Sequence, residues 1–385
     1  MLQRYPVPNP EEVATLLVGG RQFTDWETVW VQHRYADDCP LFKFTCAERA
    51  APELIQFKPG DPCAIYLGGQ IGVVGVIVTR QVAYDANSHG VLLFGKGVSW
   101  WAARSSVMHE THDFSGKDFE TVAKEVIAPF GVGVRTIGSI DKTPFQTLHA
   151  EPGRKVWDFL EGIARPRGVV LGSDPLGNIL LIGDHVNSPV QDLIEGENIL
   201  KCQAVFTHEQ VYTDYIVTGQ HGANDQKSGT DTSEMEAGAK GTARRYSAIV
   251  HPAEQPVWDI GEVAKRAQNE AIWSEGTIVQ VTATVQGWLR GGGQLWAAGD
   301  VVHIKSPMCP LNDNLKAQTV TFTQDSESGT LTTLELVAPW LLRDKVNYNV
   351  DMPAAGKETG AAATPAAGEV PEQPKQTLVQ QLKMY

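Results

Sequence analysis

The stretch "GWLRGGGQLWAAGDVVHI", residues 287–304, decides which kind of fold to expect. Gly291, Gly292 and Gly293 beside Arg290 have the composition of a loop that wraps phosphate. Such a loop follows a strand and opens a helix, whose N-terminal N–H groups and dipole hold the anion. Here the residues that follow alternate in polarity and carry their own turn at Ala298, Gly299 and Asp300, with no helix pattern and no GK[ST]. The glycines therefore turn a hairpin between two strands, and Trp288 and Trp296 flank it as core anchors.

The segments around it agree. "TIVQVTATVQGW" (277–288) places Val279, Val281, Ala283 and Val285 on one face and Gln280, Thr282 and Thr284 on the other, the period of a half-buried strand. "QTVTFTQ" (318–324) and "TLTTLELV" (330–337) alternate in the same way across the turn "DSESG". With "ILKCQAVFTHE" (199–209) and "DYIVTGQ" (214–220) they predict a β domain over 186–345. Inside it, over 222–275, "GANDQKSGTDTSEMEAGAKGTARR" (222–245) reads as a loop, and "WDIGEVAKRAQNEAIWSEG" as a helix through Ile260, Val263, Ala264 and Ala267.

A first β domain, 1–100, is predicted from strand-rich runs such as "TVWVQHRYA" (28–36), "PLFKFTCA" (40–47) and "HGVLLFGKGVSW" (89–100). Gly68 and Gly69 read as a two-residue hairpin turn. Between the two, 101–185 reads as a small α/β domain. Phe119, Val122, Ala123, Val126 and Ile127 line one helix, which Ser115 and Asp118 cap. Val156, Phe159, Leu160, Ile163 and Ala164 line a second, followed by a hairpin through "SDPLG". The last part, 346–385, is an Ala/Pro/Gly-rich linker of the disordered type. It ends in a partner-docking segment carried by Leu378, Val379, Leu382, Met384 and Tyr385.

Composition narrows the function. The 385 residues are 42% hydrophobic and 20% charged, as in folded globular protein, and the net charge of −13 argues against a general nucleic-acid binder. It suits a surface past which DNA slides without sticking. No signal peptide is read in "MLQRYPVPNPEEVATLLVGG", no apolar run is long enough to cross a bilayer, and folding in a cytoplasm is expected. Cys39, Cys46, Cys63, Cys202 and Cys309 are scattered and read as buried reduced thiols.

"HETHD" (109–113) holds ligand types in His109, Glu110, His112 and Asp113. The histidines are three apart rather than the four a zinc helix needs, so a surface loop is expected. Arg244 and Arg245 form one basic pair in an acidic chain, and no serine sits in a GxSxG elbow. No catalytic, metal or cofactor constellation is read.

The order of parts resembles the baseplate hub proteins of Mu-like contractile phage tails, which are related in architecture to the T4-like hub and to the N-terminal part of type VI secretion spike proteins. The resemblance rests on "LLVGGRQFTDWETVWVQHRYADDCPLFKFTC", "GGQIGVVGVIVTRQVAYD", "FETVAKEVIAPFGVGVR", "VWDFLEGIARPRGVVLGSDPLGNILL" and "GWLRGGGQLWAAGDVVHI", spread over most of residues 16–340. It implies a mostly β, α+β fold: two similar β-barrel domains with a small α/β domain inserted. It implies a structural role without catalysis, as a homotrimer whose six barrels form a pseudo-six-fold ring. The implied partners are further copies of the chain, the tail tube protein, the trimeric central spike, other baseplate proteins and the tape-measure protein. DNA meets it only in passage through an acidic channel, no membrane insertion is expected, and the location is the virion. Two other readings compete: a tail-borne cell-wall or polysaccharide hydrolase using carboxylates such as Glu110 and Asp113, and a receptor-binding β-protein using Trp288 and Trp296.

Overall fold

The structure, a computed structural model, describes residues 10–46, 57–84, 89–219, 235–253 and 260–344. Leu378, Val379, Leu382, Met384 and Tyr385, with the linker before them, lie outside the described residues.

The first part consists of strands β1 (Ala14–Val18), β2 (Arg21–Phe23), β3 (Thr28–Arg34), β4 (Leu41–Cys46), β5 (Pro62–Leu67), β6 (Gln70–Tyr84) and β7 (His89–Gly97). Burial alternates along β1, β3 and β5, as period-two sequences facing one core require. Gly68 and Gly69 form the two-residue connection from β5 to β6 with φ of 57° and 78°, the paired left-handed residues of a type I′ turn. Gly95 on β7 lies opposite Phe42 on β4, and a Cβ there would fall 2.0 Å from the Phe42 ring. The absent side chain is what lets that ring lie flat against the strand.

The middle part contains α1 (Ser99–Arg104), α2 (Phe119–Ile127), β8 (Val134–Ile137), α3 (Val156–Ala164), β9 (Val170–Ser173) and β10 (Ile179–Ile182). Both expected helical stripes are buried in full. The cap differs from expectation: Asp118 alone caps α2, accepting the Thr121 N–H at 2.9 Å, while the Ser115 hydroxyl donates to Asp113. The three strands form a sheet in the order β8-β10-β9, with β10 parallel to β8 and antiparallel to β9. β10 is buried on both faces, so its four residues are all apolar. Ile179 and Leu181 pack into the α2/α3 core, whereas Leu180 and Ile182 pack on Tyr35, Val337 and Leu342 of the β framework.

The last part contains β11 (Gln191–Ile194), β12 (Lys201–Phe206), β13 (Asp214–Gly219), β14 (Met235–Lys240), β15 (Ala248–Pro252), α4 (Ile260–Gly276), β16 (Val279–Gln286), β17 (Val301–Ser306), β18 (Leu311–Asp325) and β19 (Gly329–Val337). Thirteen strands of the first and last parts share one sheet, antiparallel except where β11 meets β17. The fold is therefore mostly β with a smaller α/β part, as expected.

Two readings of the last part need correction. Residues 235–240, read as loop, are strand β14 in a separate sheet of order β14-β13-β15. Its sequence, Met-Glu-Ala-Gly-Ala-Lys, has poor strand propensity. Burial of Met235, with Ala237 and Ala239, beneath α4 decides the outcome instead. The buried stripe of α4 runs through Val263, Ala267 and Ala271, leaving Ile260 at 58% exposure. Val263 and Ala267 belong to the expected stripe, while Ile260 at the helix start and half-buried Ala264 stay out of the core.

Candidate assembly edges

The large sheet repeats itself. β5 and β17 have six residues each, β6 and β18 fifteen each, and β7 and β19 nine each. The pairing of β6 with β7 shifts register between Ile77 and Thr79, and that of β18 with β19 between Ala317 and Thr319, within one residue of the same point of each long strand. β4 lies on the far side of β7 as β16 lies on the far side of β19, and β3 follows β4 as β12 follows β16. Two strand units of one plan are thus joined in one chain.

They meet in a closed seam. The second half of β18 pairs with β3, from Thr319 opposite Arg34 to Gln324 opposite Val29. Val29, Val31, Val320 and Phe322 are buried there. His33 meets Phe322 edge-on, with ring centroids 5.7 Å apart. One His33 nitrogen donates to the Gly72 carbonyl and Nε2 is buried without a partner, so the ring is neutral. Burial lowers its pKa to about 4.

The equivalent edges of the other unit are open. Among the described residues, 79–84 of β6 pair only with β7, and β12 pairs only with β16. Up to the register shift the burial of β6 nearly matches that of β18. Beyond it Gln81, Val82 and Ala83 are exposed where Thr321, Phe322 and Thr323 are covered or buried. On β12, Val205 and Phe206 are each 44% exposed, and Leu200 just before it is 54% exposed. Unpaired strand edges flanked by apolar side chains are templates for another strand.

A polar cluster pins the two units to the middle part. Lys316, on the buried half of β18, is wholly buried. Its Nζ donates to Asp344 Oδ2 at 3.0 Å, to Tyr35 Oη at 3.2 Å and to His185 Nε2 at 2.6 Å. His185 Nδ1 donates to the Gly183 carbonyl at 2.8 Å, which leaves Nε2 free to accept from the lysine. Burial pushes the Lys316 pKa down while Asp344 pulls it back up. With Asp344 Oδ1 accepting the Asn187 N–H, the cluster ties four separate segments together. The geometry is an ion pair whose two charged side chains, Lys316 and Asp344, are wholly buried.

The remaining candidate residues have structural places. Trp288 and Trp296 are buried, and Trp288 Nε1 donates to the Thr323 carbonyl at 3.2 Å, so neither ring offers a face to a sugar. The glycine cluster turns between Leu289 and Leu295, which bridge antiparallel. In "HETHD", His109 lies against the Phe114 ring and 3.8 Å from Glu125. Asp113 instead accepts from Ser115, whose hydrogen bonds hold its carboxyl below the usual range. Among the described residues no three His, Cys, Asp or Glu side chains are placed to hold a metal, and no helix is long and apolar enough to cross a membrane. Sequence reading missed the open edges and the Lys316 cluster, because both depend on which distant segments meet.

Residues 13–97 match the family "Mu phage baseplate assembly protein GpP-like, N-terminal", and residues 103–183 match "Baseplate hub protein gp44-like, second domain". The chain is 25% identical over 301 residues to the baseplate hub protein gp44 of Escherichia phage Mu, covering 75% of this chain and 78% of that one. Its fold is similar to that of the 43 kDa tail protein of prophage MuSo2 from Shewanella oneidensis, with a TM-score of 0.76 at 21% identity over 86% of this chain and 100% of that one. It is more distantly similar to an E. coli type VI secretion component described as similar to T4 tail proteins gp27 and gp5. There the TM-score is 0.54 at 10% identity, over 86% of this chain and 78% of that one.

Proposed function

We infer, from the family matches over residues 13–97 and 103–183 and the 25% identity to the phage Mu hub protein over most of the chain, that this chain is a non-catalytic baseplate hub which assembles by continuing its sheet from copy to copy. The observation that carries this reading is the match between the closed seam and the two open edges. If β12 meets the second half of β6 of the next copy as β3 meets β18, the units repeat around an axis. Carrying the register across places Val82 opposite Ala204 and Gln81 opposite Val205 of the neighbour. Such a contact joins unlike surfaces and closes into a ring when its rotation divides a full turn. Three copies give six quasi-equivalent β-barrel units. A three-fold object then presents six-fold edges, fitting a hexameric tail tube on one side and a trimeric spike on the other.

On this reading the chain is a virion component at the tail baseplate, with tube, spike, other baseplate and tape-measure proteins as neighbours. Its acidic balance lines a channel that DNA crosses without sticking. The C-terminal residues Leu378, Val379, Leu382, Met384 and Tyr385 dock on one of these partners.

The test is a chain carrying V82C and A204C together. Mild oxidation should give a covalent ladder ending at three chains of 41.9 kDa each, while either single variant gives none. Particles viewed down the axis should show three-fold symmetry around an open centre. A monomer at every concentration, or a two-fold dimer, refutes the proposal.

A further inference from the structure

We propose that Cys202 and Cys309 form a disulfide site: a dithiol under reducing conditions that oxidises to a bridge tying the edge strand β12 to the turn between β17 and β18. All five cysteines are thiols in the structure. Of these, Cys202 and Cys309 meet: the Cys309 thiol donates to the Cys202 carbonyl oxygen at 3.9 Å, and the two thiols are close enough for each to act on the other's ionisation. Cys39 and Cys63 are buried in the first part, and burial pushes the Cys63 thiol up to about 12.

The surroundings of the pair are built and reachable. Glu195 Oε2 accepts from the Ser306 hydroxyl at 2.6 Å and from the Met308 N–H at 3.1 Å. The Ser306 hydroxyl oxygen accepts the Cys309 N–H at 3.3 Å, so the turn that presents Cys309 is held in place. Met308, next to it, is 86% exposed, so a small oxidant reaches the turn from solvent. Both cysteines are partly exposed. Burial, the neighbouring thiol and Glu195 hold the Cys202 thiol up at about 12. Cys202 therefore suits the second, intramolecular step better than the first.

With oxidised glutathione as the oxidant, the electrons balance in two exchanges. The Cys309 thiolate attacks one glutathione sulfur, breaking that disulfide and releasing one glutathione thiolate. Cys202, losing its proton, then attacks the Cys309 sulfur of the mixed disulfide, and the second glutathione leaves. Two protein thiols are oxidised, one glutathione disulfide becomes two thiols, and the two cysteine protons end on them. The bridge spans a sequence separation of 107 residues. A loop of that length restricts the unfolded chain strongly, so Tm should rise by roughly 5 °C on oxidation and fall back on reduction.

The test uses the full chain in glutathione buffers of increasing oxidation, with alkylation, tryptic digestion and mass spectrometry. Support is a linked pair of peptides, residues 306–316 joined to the peptide that begins at Cys202, with Cys39 and Cys63 recovered unlinked. C309S should leave Cys202 open to alkylation or carrying one glutathione, and should abolish the Tm rise. Recovery of both cysteines alkylated under oxidising conditions that glutathionylate an exposed model thiol overturns the proposal. So does a stable mixed disulfide on Cys309 in the unaltered chain, which would show that the sulfurs do not meet. Neither outcome depends on whether the chain forms a ring.

Discussion

The second halves of β18 and β6 are the same element in two circumstances. Both follow a register shift in a fifteen-residue strand, and both are paired on one side with a nine-residue strand. β18 has β3 on its other side and buries Phe322; β6 has no strand there among the described residues and exposes Val82. A strand edge left open in one copy of a repeat and filled in the other points to a partner rather than to a defect. Soluble proteins protect edges with charge, proline or a covering element; on 79–83 of β6 Arg80 is the one charge, while Val82 and Ala83 face solvent.

The largest contrast between the two halves should appear on truncating a side chain. F322A removes a buried ring and its contact with His33, and should cost about 3–5 kcal/mol in denaturant unfolding. The matched change V82A should cost under about 0.5 kcal/mol in the isolated chain. Equal losses would mean that the two positions are not equivalent.

Next in size is Lys316, on the first half of β18. K316M keeps the stem but leaves Asp344 buried without its cation, and should lower stability by about 3–4 kcal/mol. Adding D344L should recover most of that loss. If the double variant is as unstable as the single, the cluster is not an ion pair in solution.

Acid should distinguish the seam from the open edge as well. His33 has a pKa of about 4 when folded against 6.5 as its reference value. Between these values the unfolded chain binds more protons. The seam's contribution is therefore whole above pH 6.5 and is lost as pH falls towards 4, by up to about 3 kcal/mol. In H33F that part of the acid sensitivity should vanish, which unfolding midpoints at pH 7 and 4.5 would read directly.

The smallest effect on folding should come from the open edge of β12. V205K should change the stability of the isolated chain by less than about 0.5 kcal/mol. A lysine on the edge should nevertheless abolish assembly, as light scattering would show. Persistence of the full assembly with this variant would move the interface elsewhere.

Much of the local structure was legible in the residues themselves. The strict alternation of β16 and the stripes of α2 and α3 announce element and buried face together, because each is a period repeated over a full element. β14 was not legible, since Ala, Gly, Glu and Lys carry little strand preference and its burial comes from α4. Nor was Lys316: a charged residue within "LNDNLKAQ" reads as a solvated position. Its three side-chain partners, Tyr35, His185 and Asp344, come from distant parts of the chain.

Periodicity, turn chemistry and composition thus determined most of the strands and helices, though not β14, the inward faces of those with a clear period, and that no phosphate loop is present. These are properties of neighbouring residues and need no knowledge of the rest of the chain. Which strand lies beside which, and hence which edges stay open, was decided only in three dimensions. Backbone N–H and C=O groups are alike at every residue but proline, so pairing is chosen by the packing of segments that can lie hundreds of residues apart.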